Sequence, residues 1–173
     1  MRRRTKCRRS RGTSPRYLFA LILPFFQFED FIEKRDYQGA LAVLEFNRLA
    51  GDGDLQKTLS WIGYCAFHLG NHEKAMKTYS ELLELEDKDP LDHVYLGCCM
   101  FYLGMYAEAE AEILKGPQVP LQTRLLFHLA HKLNDEDKLM QHHGKLKTCV
   151  EDQLSLASIH YLRSHYQGLC AIA

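Results

Sequence analysis

The chemistry-bearing residues of this chain are its histidines, its paired aspartates and its cysteines. His128 and His131 lie one helical turn apart, and His142 and His143 follow a dozen residues on, within reach across a helical hairpin. Neutral imidazoles at such spacing can ligate a transition metal. Yet a closed site would want cysteine or carboxylate partners that this stretch does not supply clearly. Asp52 and Asp54 flank Gly53 in the turn Gly51-Asp52-Gly53-Asp54, a spacing seen in calcium loops, but no glutamate follows where the bidentate ligand belongs. The six cysteines are Cys7, Cys65, Cys98, Cys99, Cys149 and Cys170, with no Cys-x-x-Cys pair. Cys65, Cys98 and Cys99 fall inside apolar runs and read as small buried hydrophobes of a reducing compartment. There is no glycine-rich phosphate loop, and no serine or cysteine nucleophile stands beside a recognisable base. These residues predict no enzyme, no cofactor and no metal.

Length and charge frame the elements that must carry them. The chain has 173 residues, 46% hydrophobic and 25% charged, enough for a packed core. Formal net charge is zero, but residues 1–16 hold eight of the 22 basic residues and no acid. The rest therefore carries 22 − 8 = 14 basic against 22 acidic residues, a formal −8. Residues 1–16 read as a solvated basic arm. Binding of nucleic acid or acidic lipid is the competing use of such an arm. Residues 17–28 (YLFALILPFFQF) are strongly apolar. A basic stretch before an apolar run outlines a secretory signal, and an acid-free arginine-rich start outlines a mitochondrial presequence. Pro24 interrupts the run, no small-residue cleavage site follows, and the run is shorter than the ~20 residues of a membrane span.

The organising stretch is Gln56 to Gly116, one helical hairpin written twice. Gly63, Gly70, Ala75 and Tyr79 each stand 34 residues before Gly97, Gly104, Ala109 and Ile113. That period, with small residues at those offsets, is the mark of a tetratricopeptide repeat. Gly63 and Gly97 fall mid-helix, where glycine costs about 1 kcal/mol against alanine unless a neighbour must approach closely. Gly70 and Gly104 follow apolar runs and suit a left-handed helix end. Ala75 and Ala109 open the contact face of the second helix.

The pattern extends both ways. The first hairpin is expected to begin with a helix from Pro24 to Lys34, followed by one from Tyr37 through Phe46. Beyond the clear repeats, Leu121–Leu133 and Asp137–Lys147 form a fourth hairpin turned at Asn134-Asp135. Val150 to Arg163 is a fifth first helix, and its partner starts at Tyr166. Second-helix positions fall at Ala40, Ala75, Ala109, Leu139 and Leu169, the last two spacings shortened to 30. The expected fold is all-α, a right-handed solenoid of about four and a half hairpins. The division reads as 1–23, a basic arm with an apolar run, and 24–173, the repeat domain with its last repeat truncated.

First helices of such a solenoid line its concave face. Tyr64, Phe67, Phe101, Tyr102, Arg124, His128 and Tyr161 are accordingly the candidates for a partner-binding groove. Gly63, Gly70, Ala75, Gly97, Gly104 and Ala109 are the repeat-packing set. Chaperone adaptors of this repeat class clamp a peptide carboxylate with Lys and Asn. The matching places here hold Ser60, Tyr64, Val94 and Cys98, so that clamp is absent.

The wording of the repeats is more specific than their period. KRDYQGALAVLEF (34–46), SWIGYCAFHLG (60–70), FYLGMYAEAEA (101–111), LQTRLLFHLAHKLNDEDKLM (121–140) and EDQLSLASIHYLRSHYQ (151–167) resemble the amino-terminal part of an intraflagellar-transport complex B subunit family, that of tetratricopeptide repeat protein twenty-six. The resemblance covers about residues 33–167. It implies a non-enzymatic scaffold of the cilium and cytoplasm at the ciliary base, binding other complex B proteins and ciliary cargo, with no nucleic acid and no membrane insertion. Residues 1–32 and the closing GLCAIA depart from the family, whose members are several times longer. That implies a truncated form. A generic cytosolic adaptor or co-chaperone is the alternative reading.

Overall fold

A computed structural model describes residues 27–51 and 53–163. Among them every regular element is a helix: α1 (Phe28–Glu33), α2 (Tyr37–Ala50), α3 (Leu55–His68), α4 (His72–Leu83), α5 (Asp92–Tyr102), α6 (Tyr106–Ile113), α7 (Pro120–Lys132), α8 (Glu136–His143) and α9 (Val150–Leu162). Each helix packs on the next in sequence up to α8, and α7 also touches α5 and α9. The described residues thus form four stacked hairpins and one further first helix, an all-α tetratricopeptide-type solenoid. The basic arm, the apolar run to Phe26, and the expected helix from Tyr166 with Leu169 lie outside the described residues.

One turn recurs in every hairpin. Arg35, Gly70, Gly104 and Asn134 all have positive φ, between 55° and 80°. The left-handed residue reverses the chain between first and second helix. At the next position Asp36, Asn71 and Asp135 cap the second helix, each side chain accepting the amide three residues on. Met105 holds the equivalent place in the third hairpin without a side-chain cap.

Packing then joins neighbours. Ala40, Leu41 and Leu44 of the first hairpin bury against Ile62 and Cys65 of the second. Leu59, Ala66, Ala75, Tyr79 and Leu82 meet Leu96 and Cys99 of the third. Ala109 and Ile113 meet Leu125, Leu126 and Leu129 of the fourth. Each interface is shared by two hairpins, so the core runs as a continuous strip along the stack.

Three helix bounds differ from the sequence expectation. α1 begins at Phe28 and not at Pro24, because Gln27 is extended (φ −77°, ψ 135°) and stands as its N-cap. α2 runs four residues past Phe46 to Ala50, because its stop signal is Gly51 at φ 73°, whose amide returns to Asn47 and Arg48. α8 ends at His143 instead of Lys147. Leu146 leaves the helix to pack beside Phe127, Ala130, Leu139 and Ile159, and the Lys147 amide is taken by Asp152.

Candidate functional site: an aromatic concave groove

Five first helices and a ring from a second helix build one depression of about 700 Å³. α1 contributes Ile32; α3 contributes Ser60, Trp61, Tyr64, Phe67 and His68. α5 contributes Tyr95, Cys98, Phe101 and Tyr102; α7 contributes Leu121, Arg124, Leu125 and His128. Ser155 of α9 closes the far end, and Tyr79 of α4 reaches in from behind. These positions recur at the hairpin period, which is why a helical repeat lays them on one face.

The aromatic rings touch in series. Phe28 meets Trp61 at 5.4 Å between centroids, Trp61 meets Tyr64 at 5.5 Å and Tyr64 meets His68 at 4.3 Å. The series passes from His68 through Phe67 to Tyr102 of the next hairpin, then through Phe101 to His128 of the fourth. Histidines sit at the joints between hairpins. The His68 ring stacks on Tyr37 at 4.7 Å, and His72 stacks on Tyr102 at the same distance. Burial lowers the pKa values of His68 and His128, so both are favoured as neutral, ring-stacking groups. Burial likewise pushes the Cys98 thiol up to about 12, leaving it an unreactive part of the wall.

One charge pair lies at the edge. Arg124 Nη1 donates to Asp152 Oδ1 at 2.9 Å, and the other Asp152 oxygen accepts the Lys147 amide at 2.8 Å. Burial alone would raise the Asp152 pKa. The Lys147 amide and the Arg124 guanidinium outweigh it and hold the carboxyl below its ordinary value. The pair ties α7 to α9. It also leaves the groove lining without a net uncompensated charge, in a chain body that is acidic.

Of the seven residues expected in the groove, six line this depression: Tyr64, Phe67, Phe101, Tyr102, Arg124 and His128. Tyr161 does not; it stands 65% exposed on α9. Trp61, Tyr95 and His68 belong to the lining and were not singled out. Trp61 and His68 each lie within four residues of a named aromatic on α3, whereas Tyr95 stands six residues before Phe101, beyond that spacing. In the repeat-packing set, Gly70 and Gly104 take the left-handed turns, and the mid-helix glycines face a side chain of the second helix. A Cβ on Gly63 would come within 2.8 Å of the Tyr79 ring, and one on Gly97 would overlap Ile113 Cγ1. Ala75 and Ala109 are fully buried.

The four histidines do not converge on a ligand set. Among the described residues no three His, Cys, Asp or Glu side chains gather to hold a metal ion. His128 and His143 are instead each within ring contact of Phe127. No described helix is long and apolar enough to cross a membrane.

The sequence pattern of the family described as "Intraflagellar transport protein 56" matches residues 59–172 of the chain. A curated relative, "Intraflagellar transport protein 56 homolog" from Caenorhabditis elegans, is 36% identical over 163 residues. That alignment takes in 92% of this chain and 28% of the relative, so the chain spans little more than a quarter of the relative's length.

Proposed function

Because the chain belongs to the intraflagellar transport protein 56 family, we propose that it serves as a non-enzymatic protein-binding scaffold in intraflagellar transport complex B. On this reading it works in cilium assembly and ciliary protein transport, in the cilium and at its base. Its partners are other complex B proteins and, through them, ciliary cargo.

The observation that carries the reading is the concave aromatic face. Tyr102 is 61% exposed although it belongs to a ring series that crosses three hairpins. Exposed aromatic rings held rigidly by stacking are well suited to anchor a partner, because little side-chain freedom remains to be lost on binding. Among the described residues the lining shows no nucleophile–base hydrogen bond, and its one cation, Arg124, is bound to Asp152. A groove of this character can hold a polypeptide and has little with which to transform one. The missing Lys and Asn clamp removes the main support for a co-chaperone that reads a terminal carboxylate.

The test is an affinity pull-down from ciliated-cell extract with the 173-residue chain as bait, identified by mass spectrometry. Enrichment of intraflagellar-transport subunits is expected. Recovery of chaperones in their place would overturn the proposal.

A further inference from the structure

We propose that the groove has an occupant within the same chain: the uncharged run Tyr17–Phe26, which docks there in competition with a partner. The inference rests on reading the concave face as a binding surface and adds how access to that face is controlled.

Three observations converge. First, the run is ten residues of YLFALILPFF without a single charge, and the groove lining is aromatic, with Arg124, the only cation among its described residues, already paired to Asp152. An apolar segment fits such a face without leaving a buried charge uncompensated. Second, the run ends where the groove begins. Phe26 is two residues from Phe28, whose ring rests on Trp61, and Ile32 one turn further lines the depression. Third, the reach suffices. First helices of adjacent hairpins are about 8–10 Å apart, so Trp61 to His128 is two such steps, roughly 16–20 Å. Ten residues span up to about 33 Å when extended.

Charge favours the same placement. The eight positive charges of residues 1–16 immediately precede the run, and the remainder of the chain is formally −8. Their attraction draws the amino-terminal segment onto the body of its own chain. Covalent attachment then gives the run an effective concentration on the order of millimolar at the groove. A partner must displace it, so free chain and partner-bound chain differ in where Tyr17–Phe26 lies.

Trp61 is the only tryptophan and lines the groove, so its emission reports occupancy. The experiment compares the full chain with Leu21→Asp/Leu23→Asp, using acrylamide as quencher. The variant is expected to show red-shifted Trp61 emission and a larger quenching constant, and to pull down more partner from ciliated-cell extract. Equal quenching of the two proteins overturns the proposal while leaving the pull-down of the unaltered chain, and hence the scaffold reading, untouched. Protection of Trp61 that disappears on dilution, in step with dissociation of a dimer by sedimentation, assigns the occupant to a second copy and also overturns it. A second measurement avoids any dependence on how the variant folds. A photo-crosslinking phenylalanine analogue at Phe19 of the full chain should link to groove residues such as Tyr64, Phe101 or Tyr102 within one monomer. Links confined to the convex second helices overturn the proposal.

Discussion

A Cβ built on Gly97 would overlap Ile113 Cγ1 and lie within 2.9 Å of its Cδ1. The two helices of the third hairpin therefore touch through the bare backbone of α5. Ile113 is fully buried in that contact. The second hairpin repeats the arrangement with Gly63 under the ring of Tyr79. Gly97→Leu should lower stability by about 1–3 kcal/mol or more through overpacking. Ile113→Ala in the same chain should recover part of the loss, because the two changes share one space. Strictly additive destabilisation in a denaturant double-mutant cycle would refute this account of the glycine.

The fourth hairpin inverts the size pattern. Counting back seven residues from the left-handed turn gives Gly63, Gly97 and, before Asn134, Phe127. Phe127 is 1% exposed and meets His143, the residue that aligns with Tyr79 and Ile113. Here the bulk comes from the first helix. Phe127→Ala should cost about 3–5 kcal/mol, the opposite size demand from Gly97 at the same repeat position. A loss below about 1 kcal/mol would show that the site collapses or was never tightly filled.

Two buried aspartates should respond to pH with opposite signs. Burial, reinforced by nearby Asp89, raises the Asp92 pKa to about 6. Its contribution is fully present below the unfolded value of about 3.9 and is lost as pH rises through the folded value. Asp92→Asn should therefore melt higher than the parent at pH 7.5, with the gap closing below pH 6. A variant that melts lower at pH 7.5 would mean the Asp92 charge is stabilised by its surroundings.

Asp152 goes the other way. Its folded pKa is depressed by the Lys147 amide and Arg124 against the effect of burial. The stability it provides is present above about pH 3.9 and is lost as pH falls through the depressed folded value. Asp152→Ala leaves the part-buried Arg124 without its partner and should cost about 1.5–3 kcal/mol near neutral pH, the range for a hydrogen bond to a charged group. The cost should shrink on acidification. A pH-independent difference in melting between the two proteins would rule out the ion pair as its source.

Much of this was legible in the sequence because a repeat states its contacts more than once. Gly63 and Gly97, read as close-approach positions, indeed face Tyr79 and Ile113. The turns at Gly70 and Gly104 were visible because glycine is the usual left-handed residue. Arg35 adopts the same conformation with no such signal, since the demand comes from the flanking helices. Gln122 was invisible for a related reason. Its amide donates to Ile113 O at 2.8 Å and Gly116 O at 3.2 Å, closing the end of α6 with a polar group from the next hairpin. The Arg124–Asp152 pair joins residues 28 apart in the shortened repeats, where the 34-residue period no longer indicates which side chains meet. Tyr161 shows the limit of register alone. It sits at the repeat position of Phe67 and Phe101, but it does not line the depression they share.

The central claim is that the concave aromatic face binds a protein partner, and Tyr102→Ala measures it most directly. Truncating an aromatic anchor costs about 2 kcal/mol or more of binding, roughly 30-fold in affinity. The ring contacts of the 61% exposed Tyr102 contribute about 0.5–1.5 kcal/mol to folding, less than that. Quantitative co-precipitation from ciliated-cell extract should show intraflagellar-transport subunits retained by the parent chain and largely lost from Tyr102→Ala, with the variant still folded at the assay temperature. Undiminished recovery by a folded Tyr102→Ala chain would contradict the claim.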